Sequence, residues 1–88
     1  MLLAVSITAS DGNQLRAHGV EVHLVEGKPS LQELAGRALE LRKLHPRARL
    51  MVAGPEKLVR RLAERYPPLV DVELADATMV AVLAALNS

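Results

Sequence analysis

The sequence predicts a small single-domain α/β protein with an open, mainly parallel sheet of about four strands and helices packed on the sheet. Strand-type and helix-type segments alternate along the chain from residue 20 onwards. The helices between them are long enough to carry the chain from one parallel strand to the next. The chain has 88 residues, which is enough for one domain and too few for two.

The first segment, residues 2–8, is a β-type run with three apolar side chains on one face: Leu3, Val5 and Ile7. A turn is predicted over residues 9–13, because Asp11 and Gly12 favour a tight reversal of the chain.

Residues 14–18 leave two alternatives open. They fit a short helix that ends at Gly19, since glycine is common just beyond a helix C-terminus. They also fit the start of a returning hairpin strand with a bulge at Gly19. The first strand is parallel to its neighbours in the helical alternative, which the position of Gly19 slightly favours, and antiparallel in the hairpin.

The second strand covers residues 20–25, where apolar residues alternate with Glu21 and His23. One polar face is typical of a sheet edge or an antiparallel position. Residues 50–53 are continuously apolar, as expected of a strand covered on both faces. The last strand, residues 70–74, alternates again and should be half exposed.

The helix after the second strand opens at Ser30, which has capping-box spacing with Glu33. Pro46 ends this helix, because the residue before a proline is disfavoured in the α conformation. Its predicted apolar stripe consists of Leu31, Leu34, Ala35, Ala38, Leu39 and Leu41.

A second helix opens at Gly54-Pro55, since proline fits the first helical position. Ligands of open parallel sheets bind beyond the carboxyl ends of the strands, and a helix N-terminus there favours an anion. Glu56 in the first turn of this helix would repel an anion. The candidate anion-binding residues are Gly54, Lys57, Arg60 and Arg61.

The final helix runs from a cap at Asp76 to Leu86 and is apolar on nearly all its faces. A helix on the outside of a sheet needs only one apolar stripe, so the surplus indicates that another surface covers it. The candidate interface residues are Met79, Val80, Leu83 and Leu86.

Charge is unevenly distributed along a chain whose net charge is +1. Residues 37–65 hold nine basic residues against three acidic ones, whereas both ends of the chain are acidic. A basic face of this kind could bind nucleic acid. The single aromatic residue, Tyr66, argues against base stacking, and neighbouring glutamates partly neutralise the stretch, so nucleic acid is not favoured.

The sequence contains residues that could bind a metal or act in catalysis, but no complete set for either. His18, Glu21 and His23 form the only cluster of metal-type residues, but an extended strand would place His18 apart from the other two. Ser10, Asp11 and Gly54 lie at the expected ligand edge without a histidine to complete a catalytic set. No glycine-rich phosphate motif is present, so neither catalytic residues nor a cofactor are assigned.

These observations lead to an ordered set of functional hypotheses. The first is a non-enzymatic interaction module that self-associates, or joins a larger assembly, through its final helix. The second is binding of an anionic ligand or nucleic acid by the basic stretch, and the third is a small enzyme with its site at the strand ends. The absence of cysteine favours the cytoplasm, and no membrane segment is expected.

Overall fold

Residues 1–75 and 77–87 are described by the computed structural model, and they form a four-stranded parallel sheet covered by helices. The predicted alternation of strands and helices is confirmed, and every strand pair is parallel. The elements in chain order are strand β1 (Leu2–Val5), helix α1 (Ala9–Ala17), strand β2 (Val22–Val25), helix α2 (Leu31–Leu44), strand β3 (Met51–Ala53), helix α3 (Glu56–Arg65), a 3-10 turn (Pro67–Leu69), strand β4 (Val72–Leu74) and helix α4 (Met79–Leu86).

The strand order is β2-β1-β3-β4, so the chain changes direction across the sheet after β2. Helices α1 and α4 pack together, as do α2 and α3. The core is accordingly divided into two clusters, one containing Leu15 and Val82 and the other containing Leu34 and Leu62. The direction changes between β1 and β3, which is where doubly wound sheets place their ligands.

The two central strands are buried on both faces, as the continuous apolar run at residues 50–53 predicts. Every residue of β1 is also buried, which explains why its sequence is apolar throughout. The alternating strands β2 and β4 occupy the two edges of the sheet. Burial of a strand on both faces removes the need for a polar side.

Residues 14–18 belong to helix α1, so the helical alternative is confirmed and the hairpin alternative is wrong. The turn predicted over residues 9–13 is also wrong, because the same helix begins at Ala9. Thr8 caps the helix, because its Oγ1 atom accepts a hydrogen bond from Asp11 N at 3.2 Å. Gly12 is therefore buried within the helix instead of in a turn. Gly19 follows the helix with a φ of 84°, which fits its predicted role as the terminating glycine.

Strand β1 ends earlier than residue 8, because Ser6 has a φ of 64° and interrupts the extended backbone. The predicted common face of Leu3, Val5 and Ile7 is wrong for this reason. Leu3 and Val5 pack in the cluster beneath α2 and α3, whereas Ile7 packs against the cluster on the opposite face of the sheet.

The remaining helices begin close to their predicted starts. Ser30 Oγ accepts a hydrogen bond from Glu33 N at 3.2 Å and caps α2, but Leu39 of its predicted stripe is 44% exposed. Thr78 caps α4 through a hydrogen bond from Ala81 N, whereas the predicted cap, Asp76, lies outside the described residues. Within the described ranges, no helix has the length and apolar character required to span a membrane.

Candidate functional site

A groove of about 550 Å³ opens at the carboxyl ends of β1 and β3, where the sheet changes direction. Three segments line this groove, hereafter the cationic groove. They are the end of β1 (residues 5–6), the loop into α2 (residues 27–31), and the start of α3 (residues 55, 57, 58 and 61). Its size and position are typical of small-ligand sites in doubly wound sheets.

Three cationic side chains from two of these segments face the cationic groove: Lys28, Lys57 and Arg61. Among the described residues, no carboxylate lines it. In the described part of the chain, none of the three cations has a hydrogen-bond or ion-pair partner. Their like charges repel one another, so an anion bound between them would lower the electrostatic free energy of the site.

Backbone donors add to this positive character. Helix α3 begins after Pro55, and no side chain caps its first N–H groups among the described residues. Because Pro55, Lys57 and Leu58 all line the cationic groove, the N-terminus of α3 is at its wall. Uncapped N–H groups and the helix dipole both favour a negative charge at this position.

Ser6 supplies a hydroxyl at the same place. It is exposed, it lines the cationic groove, and its backbone has the left-handed φ of 64°. Serine rarely adopts this conformation, and strained residues of this type cluster at binding sites. The sequence gives no sign of this strain, because Ser6 lies inside an apparently continuous β-type run.

Gly54 is buried beside Val5, which lines the groove. A Cβ atom on residue 54 would lie 2.8 Å from Val5 Cβ, so only glycine permits this approach of the β3–α3 turn to the end of β1. Gly54 does not itself line the groove. Its contribution is to bring the start of α3 close to Ser6.

Arg60 and Glu56 are not among the residues that line the cationic groove. Arg60 donates a hydrogen bond to Glu56 Oε1 at 2.6 Å, and both side chains line a small depression with Glu73. They also share a neighbouring depression with Lys57, Arg61 and Glu64. The first-turn glutamate that the sequence expects to repel an anion is thus paired with Arg60. Of the four predicted anion-binding residues, the structure places Lys57 and Arg61 at the groove.

The predicted set of anion-binding residues did not include Lys28 or Ser6. Lys28 lies in the Gly27-Lys28-Pro29 loop after β2, and this position at the carboxyl edge of the sheet could have identified it. Not every basic residue of the stretch is available to a ligand. Arg42, for example, donates hydrogen bonds to the carbonyl oxygens of Leu69 and Ala48 and to Asp71 Oδ2.

Asp71 is held by this network rather than presented as a reactive carboxylate. Burial acts to raise the pKa of Asp71, but hydrogen bonds from Leu50 N, at 2.7 Å, and from Arg42 outweigh it and lower the pKa. Asp71 therefore ties α2 and β3 to the start of β4. Glu73, which shares its strand face in the sequence, lines the depression beside Arg60.

The three metal-type residues that the sequence leaves as an incomplete set, His18, Glu21 and His23, do not share one site. His18 Nδ1 is 2.8 Å from the carbonyl oxygen of Gln14, whereas Glu21 Oε2 is 3.0 Å from His23 Nε2 and 3.7 Å from His45 Nε2. The hydrogen bond with His23 lowers the pKa of Glu21. No group of three or more His, Cys, Asp or Glu residues within residues 1–75 and 77–87 is arranged to hold a metal ion.

The predicted catalytic candidates are likewise separated. Asp11 Oδ2 accepts a hydrogen bond from Met79 N at 3.2 Å and so supports the start of α4. Ser10 Oγ accepts a weaker hydrogen bond from Gln14 Nε2 at 3.4 Å. Ser10, Asp11 and Gly54 are all absent from the described lining of the cationic groove.

The predicted interface residues lie on both sides of α4. Met79 and Leu83 are partly buried against α1 and the sheet, whereas Val80 is 73% exposed and Leu86 is 45% exposed. Part of the apolar surplus of this helix is thus covered within the chain.

Comparisons with protein-family models, curated proteins and solved structures find no significant match to the chain.

Proposed function

We propose that this protein binds a small, multiply charged anion, such as a compound carrying a di- or triphosphate group, in the cationic groove. The observation that carries the proposal is that Lys28, Lys57 and Arg61 line one groove to which residues 1–75 and 77–87 contribute no carboxylate. The uncapped start of α3 and the Ser6 hydroxyl provide hydrogen-bond donors at the same place.

The character of the lining supports binding of a small ligand over binding of nucleic acid. Its described lining has no aromatic side chain on which a base could stack, and its volume of about 550 Å³ suits one small molecule. The polar side chains in this described lining are cations and hydroxyls, with no histidine or carboxylate to act as a general base. We therefore propose binding without catalysis, and we place it in the cytoplasm because the chain has no cysteine.

Titration calorimetry with inorganic pyrophosphate at low salt tests this proposal. Each of the variants Lys57→Gln and Arg61→Gln should weaken binding about fivefold, because one charged hydrogen bond contributes roughly 1 kcal/mol. Affinity should also fall as salt is added, since the groove is open to solvent.

Arg60→Gln is the matched control, because it removes the same charge from the adjacent residue of the same helix. Arg60 is paired with Glu56 outside the groove, so this variant should bind pyrophosphate within about twofold of the wild type. Equal losses in Arg60→Gln and Arg61→Gln would indicate a general charge effect and contradict the proposal. Absence of any binding by the wild type would do the same.

A second candidate function is self-association through α4, favoured by the exposure of Val80 and Leu86 on a helix without a charged residue. The occupant we propose is a second copy of this chain, since an uncharged face does not repel its own copy. The contact should be weak, because Met79 and Leu83 are already partly buried.

Sedimentation velocity at rising protein concentration tests this second candidate. Val80→Lys should abolish the concentration-dependent species. Leu44→Lys is the control, because Leu44 is also 73% exposed but lies at the end of α2. A wild type that stays monomeric, or equal effects of both substitutions, would contradict self-association through α4.

A further inference from the structure

A second groove, of about 500 Å³, lies where α2 meets the 3-10 turn. We call it the α2 groove. Its wall is mostly apolar, and its polar groups are Gln32, Arg65 and the hydroxyl of Tyr66. The principal apolar lining residues are Ala35, Gly36, Leu39, Pro67, Pro68 and Leu69. It shares no lining residue with the cationic groove.

Gly36 is unusual because it lies in the middle of α2, where glycine destabilises a helix relative to alanine. A Cβ atom at this position would meet nothing within 4 Å, and the φ of Gly36 is not in the left-handed region. Packing within the chain therefore gives no reason for glycine here. The missing side chain instead leaves the α2 groove open beside Leu39, which is 44% exposed.

Arg65 provides the only charge among the described residues that line the α2 groove. Its guanidinium has no hydrogen bond or ion pair with any other described residue. An apolar wall with one unpaired guanidinium complements a ligand that has an apolar body and a single carboxylate.

The backbone around the α2 groove offers little to an extended peptide. Pro67 and Pro68 have no N–H group. Tyr66 N donates to the carbonyl oxygen of Leu62 at 2.9 Å, and Leu69 N donates to that of Tyr66 at 3.0 Å. A peptide strand would find no free N–H in this segment with which to pair, whereas an acyl chain needs none.

We propose that the α2 groove binds a medium-length acyl carboxylate, with the chain over Gly36, Leu39 and Tyr66 and the carboxylate paired with Arg65. This inference is independent of anion binding in the cationic groove. It adds a second ligand class, recognised by apolar contact and one charge instead of by several charges.

Fluorescence titration with sodium octanoate tests the inference in the intact chain, because Tyr66 is the sole aromatic residue and lines the α2 groove. Octanoate should give a saturable change. Acetate, which lacks the chain, and 1-octanol, which lacks the carboxylate, should each bind at least fivefold more weakly. Equal binding of octanol and octanoate, or no saturation with octanoate, would overturn the proposal, as would binding of an acidic leucine-containing peptide in place of octanoate.

Substitutions at Gly36 separate binding from folding. Gly36→Ala should raise the thermal unfolding midpoint by roughly 2–8 °C and weaken octanoate binding several-fold, and Gly36→Leu should abolish binding. Gly12→Ala is the matched control within another helix. Its Cβ would make an ordinary 3.8 Å contact with Leu24, so it should leave octanoate binding unchanged. Retention of full affinity in Gly36→Leu would contradict the inference.

Charge variants distinguish the two grooves. Arg65→Gln should weaken octanoate binding about fivefold while leaving octanol binding unchanged. Lys57→Gln and Arg61→Gln should leave octanoate binding unchanged. If those two variants weakened octanoate binding as much as Arg65→Gln does, the carboxylate would be held by the cationic groove and the assignment to Arg65 would be wrong.

Discussion

Gly54 approaches the end of β1 so closely that a Cβ atom on it would lie 2.8 Å from Val5 Cβ. The two residues face each other where the parallel sheet changes direction between β1 and β3. This approach places the start of α3 beside Ser6 and the loop that contains Lys28. The shape of the cationic groove thus depends on the absence of one side chain beside Val5.

Substitution of Gly54 by alanine should destabilise the fold by about 1–3 kcal/mol, because the added methyl group would overpack the buried contact with Val5. Urea unfolding measures this loss as a lower midpoint. The loss should be smaller in a Val5→Gly background, where the Cβ atom that would lie 2.8 Å away is removed. Strictly additive effects of the two substitutions would show that the Gly54–Val5 approach is not the cause.

Ser6→Gly should raise stability by about 0.5–1 kcal/mol, because glycine adopts the φ of 64° at Ser6 without strain. The same variant should weaken pyrophosphate binding, since it removes a hydroxyl from the cationic groove. Thermal unfolding checks the predicted rise in stability, and titration calorimetry on the same sample checks the predicted loss of pyrophosphate affinity. A variant that is more stable and binds equally well would remove Ser6 from the proposed site.

Asp71 should make stability depend on pH in the acid range. Its folded-state pKa is lowered, so its contribution is fully present above the unfolded pKa of about 3.9 and is lost as pH falls through the lower folded value. Asp71→Ala should reduce stability by about 1–2 kcal/mol at neutral pH, because the hydrogen bonds from Arg42 and Leu50 are lost. The difference between wild type and variant should shrink towards pH 2. A difference that is constant between pH 7 and pH 2 would rule out ionisation as its source.

Asp11→Ala should destabilise the protein by about 1 kcal/mol, because it removes the acceptor of Met79 N and an acidic residue from the first turn of α1. Asn13→Ala is the control, since Asn13 is exposed in the same helix. Hydrogen exchange should show faster exchange of the Met79 amide in Asp11→Ala only. Unchanged exchange at Met79 would mean that Asp11 does not support α4.

The order of the elements could be predicted because periodicity and caps are local. Ser30 with Glu33, the apolar run at residues 50–53 and the terminating Gly19 each act through near neighbours in the sequence. The end of the first strand and the start of α1 were harder to predict. Asp11 and Gly12 favour a turn, but the cap at Thr8 and the packing of Gly12 against Leu24 place these residues in a helix. The strained φ of Ser6, which ended the strand early, has no signature in the residue types.

The candidate site was predictable only in part, for a related reason. Lys57 and Arg61 follow from the rule that ligands bind beyond parallel strands, but the rule does not say which neighbour faces the groove. The pairing of Arg60 with Glu56, and the arrival of Lys28 from another loop, depend on strand order and on the direction of each side chain. Helical spacing alone could not show which of Arg60 and Arg61 lines the groove.

The central claim, that the cationic groove binds a multiply charged anion, is tested most directly by backbone ¹H–¹⁵N NMR during a titration with inorganic pyrophosphate. We predict saturable shifts concentrated at the amides of Ser6, Lys28, Lys57 and their neighbours around the groove, with little change at α4. Shifts spread evenly over basic surface residues, or centred on the Arg60 depression and absent from Ser6 and Lys28, would contradict the account.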